Sequence, residues 1–91
     1  MGTRVSVNKE VAITAVYFRN DVELKSYPRR MEFDGETYTF LDGIRCLIKK
    51  GQTLVQLFDM TDGSSNYRLK FDSQEDTWTL LNISSAPRAL V

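Results

Sequence analysis

Residues 31–52 read MEFDGETYTFLDGIRCLIKKGQ, and the roles assigned to their three glycines decide the fold. Gly35 follows Asp34 between two extended runs, and an Asp-Gly pair suits the two central positions of a type I′ hairpin turn, both of which need positive φ. That turn fixes a register in which Met31 faces Tyr38, Arg29 faces Phe40, Glu32 faces Thr37 and Arg30 faces Thr39. Phe33 joins the Met31 face. One side of the hairpin is then apolar and the other polar, the sorting that a half-buried sheet requires. A metal-binding role for Asp34 predicts no such sorting.

The segment between Gly43 and Gly51, IRCLIKK, reads differently. Ile44, Leu47 and Ile48 fall at i, i+3 and i+4, Asp42 suits the start of a helix, and Lys49 and Lys50 suit its end. Gly51 fits the left-handed position just beyond. A strand explains only the alternation Ile44, Cys46, Ile48 and leaves Leu47 among polar neighbours. The pattern therefore favours a two-turn helix near 43–50, packed over one face of the sheet, with Cys46 as a small buried apolar residue.

Working outward, TLVQLFDM (53–60) and NYRLKF (66–71) flank Asp62-Gly63-Ser64-Ser65. With that loop, Met60 faces Tyr67, Phe58 faces Leu69, and Asp59 meets Arg68 on the other side. A last strand, 77–83, places Trp78 opposite Phe71 and Leu80 opposite Leu69. Upstream, 11–19 is rich in β-branched and aromatic residues, and Asn20-Asp21 turns the chain into a second run from Val22 to Phe33. Pro28 has no N–H for a ladder, so this run is an edge strand or bulges near 28.

The expected fold is mainly β: a single antiparallel meander of about six strands forming a small barrel or curved sheet, with one short helix near 43–50. The domain would span 9–83, with loose tails at 1–8 and 84–91. Its core would hold Val11, Ile13, Tyr17, Leu24, Met31, Phe33, Tyr38, Phe40, Phe58, Met60, Tyr67, Leu69, Phe71, Trp78 and Leu80.

Composition narrows the function classes. The chain of 91 residues is sized for one core, and its 12 basic side chains balance 12 acidic ones, so no global field attracts a polyanion. A single cysteine, Cys46, excludes an intrachain disulfide and points to a reducing, cytoplasmic setting. No apolar run is long enough to span a bilayer as a helix, which points to a soluble protein. The chain has no histidine, which removes imidazole acid–base catalysis, the usual nucleophile triads and most zinc and iron sites. DMTDGSSN lacks the carboxylate spacing and the closing glutamate of a calcium loop. No catalytic residue, cofactor, metal or small-molecule substrate is indicated.

Two binding classes remain. The strand 53–60 carries apolar residues on both faces, Leu54, Phe58 and Met60 one way and Val55 and Leu57 the other, as in a strand that meets a partner. A protein-interaction module, contacting another protein or a second copy, is the leading reading. Its candidate surface is Val55 and Leu57 with Arg29, Arg30, Arg45, Lys49, Arg68 and Lys70. The alternative is a single-stranded nucleic-acid-binding barrel, in which those basic residues with Lys50 track the backbone and Tyr27, Tyr38 or Trp78 stack on bases. The order of elements resembles, at the level of fold alone, the oligonucleotide-binding barrel, although six strands are indicated where that family has five.

Overall fold

The computed structural model describes residues 4–19 and 25–85. It contains seven strands: β1 (Arg4–Phe18), β2 (Ser26–Phe33), β3 (Glu36–Thr39), β4 (Asp42–Lys50), β5 (Thr53–Thr61), β6 (Asn66–Asp72) and β7 (Thr77–Ser84). They form one antiparallel sheet in the order β3-β2-β1-β7-β6-β5-β4, which does not close into a barrel. Consecutive strands pair as hairpins except at β3 and β4, which lie at opposite edges, and β7 returns to β1.

The connection between those two edges forces the sheet to curl. Laid flat, the edge strands would stand about 29 Å apart, at some 4.8 Å per strand spacing. Phe40 and Leu41 alone join Thr39 to Asp42, so the chain there can span at most about 11 Å. Consecutive amides stitch the two sides together: Phe40 N–H donates to the Arg29 carbonyl at 2.7 Å, and Leu41 N–H donates to the Thr61 carbonyl at 2.7 Å. β1 bends in the complementary way, pairing with β7 through Val11 and with β2 from Ala12 onward. The molecule therefore has two limbs, β1–β3 and β4–β7 with the start of β1, meeting at β1 and at the Phe40–Leu41 seam.

Local sequence explains most of the ladders. Asp34 and Gly35 have φ of 56° and 78°, the positive pair of a type I′ turn, and the β2–β3 register is the one their spacing predicts. The pairs Met60–Tyr67, Phe58–Leu69, Asp59–Arg68, Phe71–Trp78 and Leu69–Leu80 also form as expected. β2 is interior rather than an edge, and the register slips between Ala15–Arg30 and Val16–Pro28. β3 pairs no further along β2 than Arg30, so the missing N–H of Pro28 interrupts no β3 ladder bond.

Three expectations are corrected. Residues 43–50 are not a helix; they form most of β4, which brings the strands to seven rather than the expected six, and among the described residues there is no helix, hence none long and apolar enough to cross a membrane. The helical spacing of Ile44, Leu47 and Ile48 does not mark a buried face, because all three are exposed. The segment 4–8 is not loose: it belongs to β1, and Arg4 pairs with Ser84 at the end of β7. The rest of the C-terminal segment, from 86, lies outside the described residues, as does Leu24.

The core occupies the concave side of the curl. Val11, Tyr27, Met31, Phe40, Phe58, Met60, Tyr67, Leu69 and Leu80 are buried, with Ile13, Tyr17, Phe33, Tyr38, Phe71 and Trp78 packed against them. Tyr27 is a buried addition to the expected set, and Val7 and Ile83 also pack against the core. Tyr27 stacks on Tyr17 at 5.6 Å, and the guanidiniums of Arg19 and Arg29 cap the two rings, Arg19 over Tyr27 at 4.6 Å and Arg29 over Tyr17 at 3.9 Å. Each ring face thus meets a partner suited to its quadrupole.

Candidate interaction surface

Among the described residues β4 pairs with β5 alone and forms an edge of the sheet. Its side chains alternate. Asp42, Ile44, Cys46, Ile48 and Lys50 pair with Thr61, Asp59, Leu57, Val55 and Thr53, on the convex face. Gly43, Arg45, Leu47 and Lys49 pair with Met60, Phe58, Gln56 and Leu54, on the concave face. Beyond Phe58 the core ends, so Leu47 and Leu54, 54% and 53% exposed, project past it. The end of the β4–β5 hairpin is consequently apolar on both faces.

On the convex face Ile44 and Ile48, 63% and 42% exposed, flank Cys46, and Leu57 and Val55 lie beside them, half-buried. Cys46 is exposed, contrary to the sequence expectation, because in a strand it points away from the core rather than beneath a helix. β6 continues the face with Arg68, Lys70 and Asp72. Arg68 donates to Asp59 from Nε at 2.7 Å and from Nη2 at 3.1 Å, and this hydrogen-bonded carboxylate raises the guanidinium above its ordinary pKa. Next to that pair, a shallow groove is lined by Arg4, Ile44, Asn82 and Ser84.

The free edge has a definite set of backbone groups. Lys50 and Thr53 flank the two-residue turn Gly51-Gln52, with Gly51 at φ 64°, and such flanking residues exchange ladder hydrogen bonds. Alternation then turns Ile48, Cys46 and Ile44 toward β5, and turns the N–H and C=O of Lys49, Leu47, Arg45 and Gly43 outward. The Gly43 carbonyl agrees: it accepts from Arg19 Nη2 at 2.8 Å, and the same nitrogen bridges to Asp42.

The sequence-selected residues divide between places. Val55, Leu57, Arg68 and Lys70 share the convex face of β5 and β6. Lys49 lies at the exposed end of β4, and Arg45 sits on the concave side with Nε donating to Gln56 Oε1 at 2.9 Å. Arg30 is exposed on β2, on the other limb, and Arg29 is drawn inward, stacked on Tyr17 and donating to the Phe40 carbonyl at 2.8 Å. The proposed stacking platforms lie in or against the core: Tyr27 contacts Phe58, Tyr38 contacts Tyr67, and Trp78 contacts Phe58 and Phe71. Sequence reading missed Ile44, Leu47, Ile48 and Leu54 as surface residues; the alternation D-x-I-x-C-x-I-x-K over 42–50 is the signal that places three of the convex set.

Behind this surface, Asp62 organises the β5–β6 loop. Its Oδ1 accepts from the amides of Ser64 and Ser65 at 2.9 and 2.8 Å, and its Oδ2 accepts from Tyr67 Oη at 2.8 Å. Burial pushes the Asp62 carboxyl up, but these amides, Tyr67 and the Ser64 hydroxyl outweigh it, and the net shift is downward. Tyr67 moves the opposite way, its phenol raised well above the usual range first by burial and then by its bond to Asp62. No protein-family model matches this chain, and neither a curated protein nor a solved structure matches it.

Proposed function

We propose that this protein is a non-enzymatic interaction module, working in the cytoplasm, whose contact surface is the free edge of β4 with the apolar convex face of β4 and β5. The observation that supports the reading is the contrast between the two edges of the sheet. β3 is four residues long, and its Glu36, Thr37 and Thr39 are exposed, a short polar edge of the kind that discourages pairing. β4 is nine residues long, has no strand beside one edge among the described residues, and carries exposed Ile44, Leu47 and Ile48. An extended chain laid along it gains ladder hydrogen bonds from the outward amides and buries those side chains. A reducing cytoplasm keeps the exposed Cys46 thiol from random cross-linking.

The test is a photoreactive amino acid in place of Leu47, irradiated in cells, with the same group at Thr37 on β3 as the control edge. Cross-linked chains at 47 and few at 37 are the expected result. Equal or absent cross-linking at the two positions would remove the β4 edge as the working surface.

A further inference from the structure

We propose that the chain which β4 takes up is β4 of a second copy, paired antiparallel about a two-fold axis that passes beside Cys46. This rests on the interaction reading above and names its partner.

The convex side of β4 is self-complementary. In antiparallel pairing, opposed residues lie on the same face and have the same hydrogen-bonding orientation. Centring on Cys46 brings Ile44 opposite Ile48 of the second copy, Cys46 opposite Cys46 of the second copy, and Asp42 opposite Lys50 of the second copy, with the two-fold repeating each contact. The axis converts one strand into its own partner, as an isologous interface requires. On the concave side Arg45 falls opposite Leu47 of the second copy, and these two present outward N–H and C=O groups, so they exchange ladder bonds. Lys49 falls opposite Gly43 of the second copy, whose carbonyl already accepts from Arg19, so the ladder bonds of the pairing are carried by Arg45 and Leu47.

Neighbouring registers are worse. Moving the axis to Arg45 sets two Arg45 guanidiniums directly across the seam. Moving it to Leu47 sets Arg45 against Lys49 of the second copy and Ile44 against Lys50 of the second copy. Like charges directly opposite are destabilising, so the basic residues that would blunt this edge against unspecific pairing also select the Cys46-centred alignment. Asp42 already holds Arg19, and the second copy's Lys50 joins that pair rather than replacing it.

The pairing also unites the two convex patches. Leu57 lies beside Cys46, and Val55 beside Ile48, so the apolar strip runs from β5 across the seam to β5 of the second copy. The contact is one strand wide and belongs to the small, concentration-dependent class of interfaces. Cys46 residues face each other at a non-hydrogen-bonded position, where the Cα atoms of an antiparallel pair stand about 4.5 Å apart, within disulfide reach.

The experiment uses the purified full chain. Sedimentation under reducing conditions over roughly a hundredfold range of concentration around micromolar should show a monomer–dimer equilibrium. Leu47→Pro, which removes an outward N–H without touching a β5 bond, should shift the curve to monomer while Trp78 fluorescence keeps its folded spectrum. Register is read by thiol cross-linking with diamide, which accepts the two electrons and two protons released as a disulfide forms. The parent chain should cross-link through Cys46. In a Cys46→Ser background, Ile44→Cys mixed with Ile48→Cys should cross-link as a heterodimer, and neither should do so alone. A folded chain that stays monomeric throughout would overturn the self-pairing; cross-links to other proteins at position 47 in cells would then leave the interaction reading standing. Dimers of any other cross-linking pattern would overturn the register.

Discussion

At the scale of single residues, Gly43 shows how a close approach dictates identity. It stands opposite Met60, and a Cβ built on it would lie 2.6 Å from the Asp59 carbonyl oxygen as well as against the Met60 thioether. The thioether can swing aside, but the carbonyl belongs to the β5 backbone and cannot. Gly43→Ala is expected to cost about 1–3 kcal/mol, the range for overpacking, measured by urea denaturation. Gly35→Ala is strained for a different reason, its φ of 78°, since open space surrounds it. Sequence alone assigned Gly43 to the start of a helix, because a requirement set by a neighbouring strand leaves no local pattern to read.

At the scale of elements, the hairpins were legible and the edge was not. β2–β3, β5–β6 and β6–β7 each bury one face, so Met31, Phe58, Leu69 and Trp78 carry a period-two signal that local turn chemistry then registers. β4 buries little, and a strand with Ile44, Leu47 and Ile48 all exposed has no burial pattern to betray its period. Of the interaction surface, Val55 and Leu57 were readable because β5 is apolar on both sides, whereas the half contributed by β4 was hidden by that ambiguity. The β5–β6 loop offers a test through Asp62. Its folded pKa lies below the unfolded value of about 3.9, so its contribution to stability is present above that pH and is lost as pH falls through the folded pKa. The stability difference between the parent chain and Asp62→Asn should be constant above about pH 5 and shrink below about pH 4, followed by denaturation at each pH. A constant difference down to pH 2 would mean that the loop does not depend on the charge.

At the scale of the whole molecule, Phe40 and Leu41 hold the two limbs together. Phe40 is fully buried with its ring 5.2 Å from that of Tyr67, while Leu41 beside it is 61% exposed. Phe40→Ala should cost about 3–5 kcal/mol, much of the margin of a domain this size, and Leu41→Ala about 0.5 kcal/mol or less. Equal effects in urea denaturation would mean that the seam does not bear the packing described. That the sheet curls was foreseeable from its alternating faces, but where it curls was not, because the two residues that join its edges look like any short connection.

The order in which the strands pair has a kinetic meaning. Among the described residues five of the six ladders join strands adjacent along the chain, and only β1 with β7 brings together positions as remote as Arg4 and Ser84. Hairpins can form early at little entropic cost, while that ladder must close nearly the whole chain into a loop before any of its bonds is made. The search for the native state is thereby concentrated in one encounter. Until it occurs, β1 and β7 each keep one further open edge, so a newly made chain presents more places to stick than the finished one does.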